Sequence, residues 1–172
     1  MTSYAVYDIM SLFQEGRKGN DNMKAIYFDM DGTIANFYGV PGWLECLERS
    51  DVYPYEVAAP LINMQALAHR LNNLRARGYH IGIVSWTSKN GTDEFNEATR
   101  MAKLRWLKKH LGSVVWDEIK IIPYGSPKSK AVQYSGQGSV LFDDEKQNQN
   151  EWLEAGGFGL DEKHITMWLD MM

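Results

Sequence analysis

Residues Ala25–Phe28 form an uninterrupted apolar run that ends on Asp29-Met30-Asp31-Gly32-Thr33. The design returns at Gly138–Phe142, which stops on Asp143 and Asp144. A run with no polar alternation has no solvent face, so it predicts a strand covered on both sides. Between and around these runs the spacing predicts helices. Ile62, Leu67, Leu71 and Leu74 recur at helical intervals up to Gly78, and residues 93–112 form a second long helix closed by a glycine. Residues 79–86 and 117–125 supply two further strands, and 129–135 a short helix. Closing helices are expected in the segments "QNEWLEAG" and "EKHITMWLDMM". Strands alternating with helices predict an α/β fold, a three-layer Rossmann-like parallel sheet. Residues 36–60, rich in proline and glycine, read as a small cap insertion after the first strand with a helix near 42–49.

The division expected is an N-terminal extension at 1–22 and one domain at 23–172. "YAVYDIMSLF" in the extension has an amphipathic look. An apolar content of 44 % is enough for a core. The net charge of -4 gives no basic footprint for broad nucleic-acid binding. Cys46 is the only cysteine, which excludes an intrachain disulfide framework and points to a reducing, cytoplasmic setting. No apolar run is long enough to span a membrane, and no secretory signal is expected.

In a parallel sheet the ligand crevice lies at the carboxyl ends of the strands. There this chain has Asp29 and Asp31, Ser85, and Asp143 with Asp144, with Lys128 and Lys130 on the connection before the last pair. Clustered carboxylates repel one another, and a hard cation such as Mg²⁺ removes that penalty. A carboxylate can attack phosphorus, and an acid two residues on can handle the proton. Main-chain N–H groups of the Met30–Thr33 turn, the Ser85 hydroxyl and a lysine can hold phosphate oxygens, with Gly32 allowing close approach.

Taken in order, "DMDGT", "IVSW", a lysine and "LFDD" resemble the haloacid dehalogenase-like phosphohydrolases over residues 23–150. The resemblance implies Asp29 as nucleophile and Mg²⁺ ligand, and Asp31 as general acid/base with its main-chain carbonyl toward the metal. It implies Asp143 as a ligand, and Asp144 as a ligand or its neighbour. Met30, Gly32, Ser85 and Trp86 join a lysine around the phosphate. Lys130 is the preferred lysine because it directly precedes Ala131 and Val132, with Lys128 the substitute. An acid at Asp31 points to phosphoryl chemistry, since the dehalogenases proper lack one.

"DMDGTIANF", "KLRWLKKHLG" and "IKIIPYGSPKSKAV" are most similar to the 5'(3')-deoxyribonucleotidases. That implies hydrolysis of a (deoxy)nucleoside monophosphate, a small phosphorylated partner, with Phe37 near the substrate; Trp43 is the second candidate substrate contact, from its place among the insertion's aromatic residues. The insertion is shorter than such a cap. An open site admits a sugar phosphate, a polynucleotide end or a phosphoprotein. A non-catalytic binding domain is the alternative of another class, and the intact acid set argues against it.

Three further readings are structural. Trp43, Tyr53 and Tyr55 form the insertion's own small core, with base stacking as the alternative. The basic stretch at 103–110 is a solvated helix face. His69, His80, His110 and His164 have no metal-ligand spacing.

Overall fold

Alternation along the first strand, β1 (Ala25–Phe28), decides where the two cores lie. In the computed structural model, which describes residues 24–172, Ile26 and Phe28 point to one face of the sheet, and Ala25 and Tyr27 to the other. The expected extension at 1–22 lies outside the described residues.

After β1 come the two-residue strand β2 (Ala35–Asn36), a 3-10 turn (Phe37–Gly39), α1 (Trp43–Glu48), α2 (Tyr53–Val57) and β3 (Ala59–Pro60). Then follow α3 (Met64–Ala76), β4 (His80–Trp86), α4 (Asp93–Leu111), β5 (Glu118–Ile122) and β6 (Ser139–Phe142). The chain ends with α5 (Lys146–Glu154), β7 (Phe158–Leu160), a 3-10 turn (Glu162–His164) and α6 (Ile165–Met171). The main sheet has the order β5-β4-β1-β6-β7 with every pairing parallel. The larger core packs Leu71, Trp106 and Trp168 of α3, α4 and α6 on the Ile26 face. On the Tyr27 face Trp152 of α5 joins Val84 and Leu141. These are the three layers expected of the α/β pattern.

Local chemistry explains the long helices. Asn63 caps α3 by accepting from the Ala66 N–H, and Thr92 caps α4 by accepting from Phe95. Gly78, at φ +87°, takes the left-handed position that ends the α3 region. The chain spreads first to the β4 side of β1 and then returns to the β6 side. That reversal opens a crevice beyond the carboxyl ends of β1, β4 and β6.

Three expectations need correction. Residues 129–135 form turns, not a helix, because side chains of neighbouring elements take their main-chain groups: Glu118 accepts from Gln133 N–H, and Glu151 from Ser129 N–H. A fifth strand of the main sheet, β7, forms in a glycine-rich segment to which the sequence pattern assigns no element. The insertion carries a second helix, α2, and is closed at its base by the antiparallel β2–β3 pair.

Candidate active site

The ladder between β1 and β6 continues one residue past the strand, with Asp29 N–H donating to Phe142 O at 2.9 Å. The chain then folds back. The N–H groups of Thr33, Ile34 and Ala35 all converge on the Met30 carbonyl at 3.2, 3.0 and 2.8 Å. Gly32 makes this possible at φ +78°. A Cβ there would lie 2.3 Å from Asp144 Oδ2, so the glycine also keeps room for the second acidic pair. Its N–H donates to Ala35 O at 2.9 Å, which corrects the expectation that this amide faces phosphate. Met30 is buried at 1 % exposure, so only its main chain is left to contact a ligand.

Asp143 stands at the end of β6, fully buried. Its Oδ1 accepts from Glu145 N–H at 2.9 Å and from Asn148 Nδ2 at 3.1 Å, while Oδ2 takes Lys128 Nζ at 2.7 Å. The same ammonium lies 2.8 Å from Asp29 Oδ1. Lys128 therefore bridges Asp29 at the end of β1 and Asp143 at the end of β6. Burial works to lower its pKa, and Asp29 and Asp143 outweigh that, so it is held charged above the ordinary lysine value. Lys130, the preferred lysine from sequence, is exposed. The reason is the missing helix: in the turn that forms, Lys128 points inward and Lys130 to solvent.

Asp144 is half-buried and linked reciprocally to Thr33. The Thr33 hydroxyl donates to Asp144 Oδ1 at 3.1 Å and accepts from Asp144 N–H at 3.1 Å. Burial and the neighbouring Asp29 push the Asp144 carboxyl up to about 7. The same two causes push Asp143 up to about 6, with Lys128 opposing. Carboxylate oxygens of Asp29, Asp143 and Asp144 come within 4.8 Å of one another. Among the described residues this is the one group of acids, histidines or cysteines able to hold a metal ion. Three hard oxygen donors carrying excess negative charge fit a cation such as Mg²⁺. The Asp31 carboxylate is not in that group; its main-chain carbonyl is what it can offer.

Sequence reading missed Lys103. It leaves the middle of α4, is 1 % exposed, and its ammonium lies 2.7 Å from Asp31 Oδ2. It also donates to Ser85 Oγ at 2.8 Å and to Trp86 O at 2.7 Å. The solvated-face reading holds for Arg105, Lys108 and Lys109, which are exposed, and fails for Lys103. A signal was present: Lys103 falls on the stripe of Phe95, Thr99, Ala102, Trp106 and Leu107 that α4 buries. Burial pushes the Asp31 carboxyl above its ordinary value; Lys103 works against this and Asp29 with it.

Ser85, the last but one residue of β4, lies in the crevice at 1 % exposure. Trp86 lies beside it on the cleft lining. Its indole N–H donates to Ser126 O at 2.8 Å, and its ring lies 5.0 Å from Lys128 Nζ. It supports the lysine-bearing turn and forms a wall of the crevice.

The crevice opens into a cleft of about 640 Å³. Phe37, Tyr38, Trp43 and Tyr55 of the insertion line one side, and Trp86 and Tyr124 the other. Phe37 and Trp43, expected near the substrate, both lie on this lining. Phe37, Tyr55, Phe95 and Ala102 also form a small core, with Trp43 packed against it. Tyr53 is 51 % exposed and away from the lining. The insertion is fastened to α4: Trp106 Nε1 donates to Ala58 O at 2.7 Å, and the Tyr55 ring lies 5.3 Å from Lys103 Nζ.

No protein-family model matches the chain, and no curated protein matches it in sequence. Solved structures do match. The D,D-heptose 1,7-bisphosphate phosphatase of Burkholderia thailandensis superposes with a TM-score of 0.51 at 15 % identity, over 78 % of this chain and 74 % of the other. The enzyme of that name from B. bronchiseptica, complexed with magnesium and phosphate, gives a TM-score of 0.50 at 14 % identity, over 80 % and 79 %. The fold expected from the haloacid dehalogenase-like resemblance is therefore the fold this chain shares with these phosphatases.

Proposed function

We propose that this chain is a Mg²⁺-dependent phosphomonoester hydrolase acting through an aspartyl-phosphate on Asp29, with (deoxy)nucleoside monophosphates as substrates. The observation that carries the reading is the double lysine bracket: Lys128 between Asp29 and Asp143, and Lys103 between Asp31 and Ser85. Each ammonium neutralises a carboxylate and reaches toward the space a phosphoryl group needs.

In the first step a carboxylate oxygen of Asp29 forms a bond to phosphorus as the ester P–O bond breaks. Asp31 gives its proton to the leaving oxygen, so an alcohol departs. In the second step Asp31 takes a proton from water, whose oxygen bonds to phosphorus while the bond to Asp29 breaks, releasing phosphate. Lys103 and Ser85 hold phosphoryl oxygens and orient Asp31. Asp29, Asp143 and Asp144 would hold Mg²⁺, which when bound neutralises these carboxylates and the phosphate charge. The magnesium and phosphate in the B. bronchiseptica enzyme support that assignment.

The aromatic lining supports a planar leaving group. Apart from Lys103 and Lys128 beside the acids, Lys89 is the one cation among the described residues on the cleft lining. The bisphosphate sugar of the two similar enzymes keeps a sugar phosphate as the second reading. A cytoplasmic setting suits either substrate, and among the described residues no helix is long and apolar enough to cross a membrane.

The test is phosphate release with Mg²⁺ from 5'- and 3'-nucleoside monophosphates, sugar mono- and bisphosphates and a 5'-phosphorylated oligonucleotide. Turnover concentrated on nucleotides and abolished in Asp29→Asn supports the proposal. Turnover confined to sugar phosphates replaces the substrate class. Silence on every substrate leaves a binding domain.

A further inference from the structure

The turn that carries Lys128 has no regular secondary structure to hold it, yet its ammonium sits within 2.8 Å of Asp29 and 2.7 Å of Asp143. Two clamps grip the chain on either side. Upstream, the Trp86 indole N–H holds the Ser126 carbonyl at 2.8 Å. Downstream, Glu151 of α5 takes both donors of Ser129: the N–H gives to Oε2 at 3.2 Å, and the hydroxyl gives to Oε1. Ser129 is 7 % exposed, so this pair of bonds lies largely out of water.

The same helix grips Asp143. Asn148 Nδ2 donates to its Oδ1, and Gln149 Nε2 donates to its carbonyl at 2.7 Å. One rigid element thus holds both members of the Lys128–Asp143 pair. We propose that Glu151 is a positioning residue that sets the placement of the Lys128 ammonium through Ser129. It touches no reacting atom in the scheme above. A carboxylate is needed there because only an ionised acid offers acceptors to an N–H and an O–H on one residue with charge-assisted strength. A lysine stem is long and flexible, so without a fixed Cα its ammonium samples positions outside the Asp29–Asp143 gap.

The catalytic part of the inference rests on the phosphatase reading, and the experiment keeps the two apart. Glu151→Ala, Glu151→Gln, Ser129→Ala and the Glu151→Ala/Ser129→Ala pair are assayed with p-nitrophenyl phosphate and Mg²⁺. In parallel, the Lys128 ammonium is followed by ¹H–¹⁵N NMR in ¹⁵N-lysine protein, its signal identified by loss in Lys128→Met. Glu151→Ala is expected to lower kcat about 10-fold with KM changed less than about 2-fold, as for other supporting-shell losses. Glu151→Gln is expected to retain an intermediate rate, since one oxygen still accepts. The double variant should be no slower than the slower single. The slowly exchanging ammonium signal should broaden or vanish in both single alanine variants while the amide spectrum stays dispersed. An unchanged ammonium signal in folded Glu151→Ala or Glu151→Gln protein, or multiplying losses in the double variant, overturns the proposal. If wild type turns over no phosphate ester, the phosphatase reading falls while the ammonium signal still decides the positioning.

Discussion

Lys103 shows how one residue can belong to two patterns. By composition it sits in a basic stretch, and by phase it sits on the buried stripe of α4. Burial with two oxygen partners and a carboxylate offsets the cost of desolvating its charge. Replacing it by methionine keeps the volume and removes the charge. Lys103→Met is expected to lower kcat/KM about 100-fold, the range of a lost electrostatic donor. It also removes a group that lowers the Asp31 pKa, so that pKa rises. An acid with a higher pKa stays protonated to higher pH, so the alkaline limb of the pH–rate profile should move upward. A limb that stays in place, or moves down, counts against the Lys103–Asp31 link. The acids were legible because strand ends and carboxylates are local features. The choice between Lys128 and Lys130 was not, because a turn's inward side depends on what grips it.

Elements meet here through contacts that sequence disguises. Gly159 in β7 looks like a loop residue, but a Cβ there would lie 2.2 Å from the Gln149 carbonyl of α5. The glycine lets helix backbone and strand approach. Gly159→Ala should therefore cost roughly 1–3 kcal/mol, as overpacking does. Denaturant unfolding checks it, and a midpoint equal to wild type would refute the close approach. The insertion depends similarly on α4. Trp106→Phe keeps one aromatic ring, removes the pyrrole half of the indole and leaves the buried Ala58 carbonyl without its donor. It is expected to cost about 1–3 kcal/mol and to speed proteolysis within residues 40–58. Equal stability and equal cleavage would show that the insertion is held by packing alone. The long helices were legible from their period and caps, since those rules act within a few residues. The two-residue strands, α2 and β7 were not, because each is too short to carry a period and forms only against a neighbour.

At the scale of the whole molecule, folding brings three carboxylates from two strands into one crevice. Asp143 and Asp144 are raised to about 6 and about 7, against ordinary values near 3.9 in an unfolded chain. Raised groups favour the fold while protonated. Their contribution is present below about pH 4 and lost as pH rises through the folded values. The metal-free protein in EDTA should thus have a lower Tm at pH 8 than at pH 5. One fixed Mg²⁺ concentration, 100-fold over the Kd at pH 8 and used at both pH values, should restore about 2.7 kcal/mol at pH 8, roughly 5–10 °C for a domain of this size. The increment should be larger at pH 8 than at pH 5, and differential scanning calorimetry reads both. An increment independent of pH, or absent in the presence of Mg²⁺, argues against the three-carboxylate site.

The order of buried strands and helices, the α/β class, and the arrival of acids and a serine at strand ends are written in local pattern, because each needs only the period of a strand or the cap of a helix. Which lysines face those acids, why Gly32 cannot carry a side chain, and how α5 grips both the lysine turn and Asp143 were decided by tertiary structure. Those contacts join residues far apart in the chain, and their direction exists only once the sheet and its helices have packed.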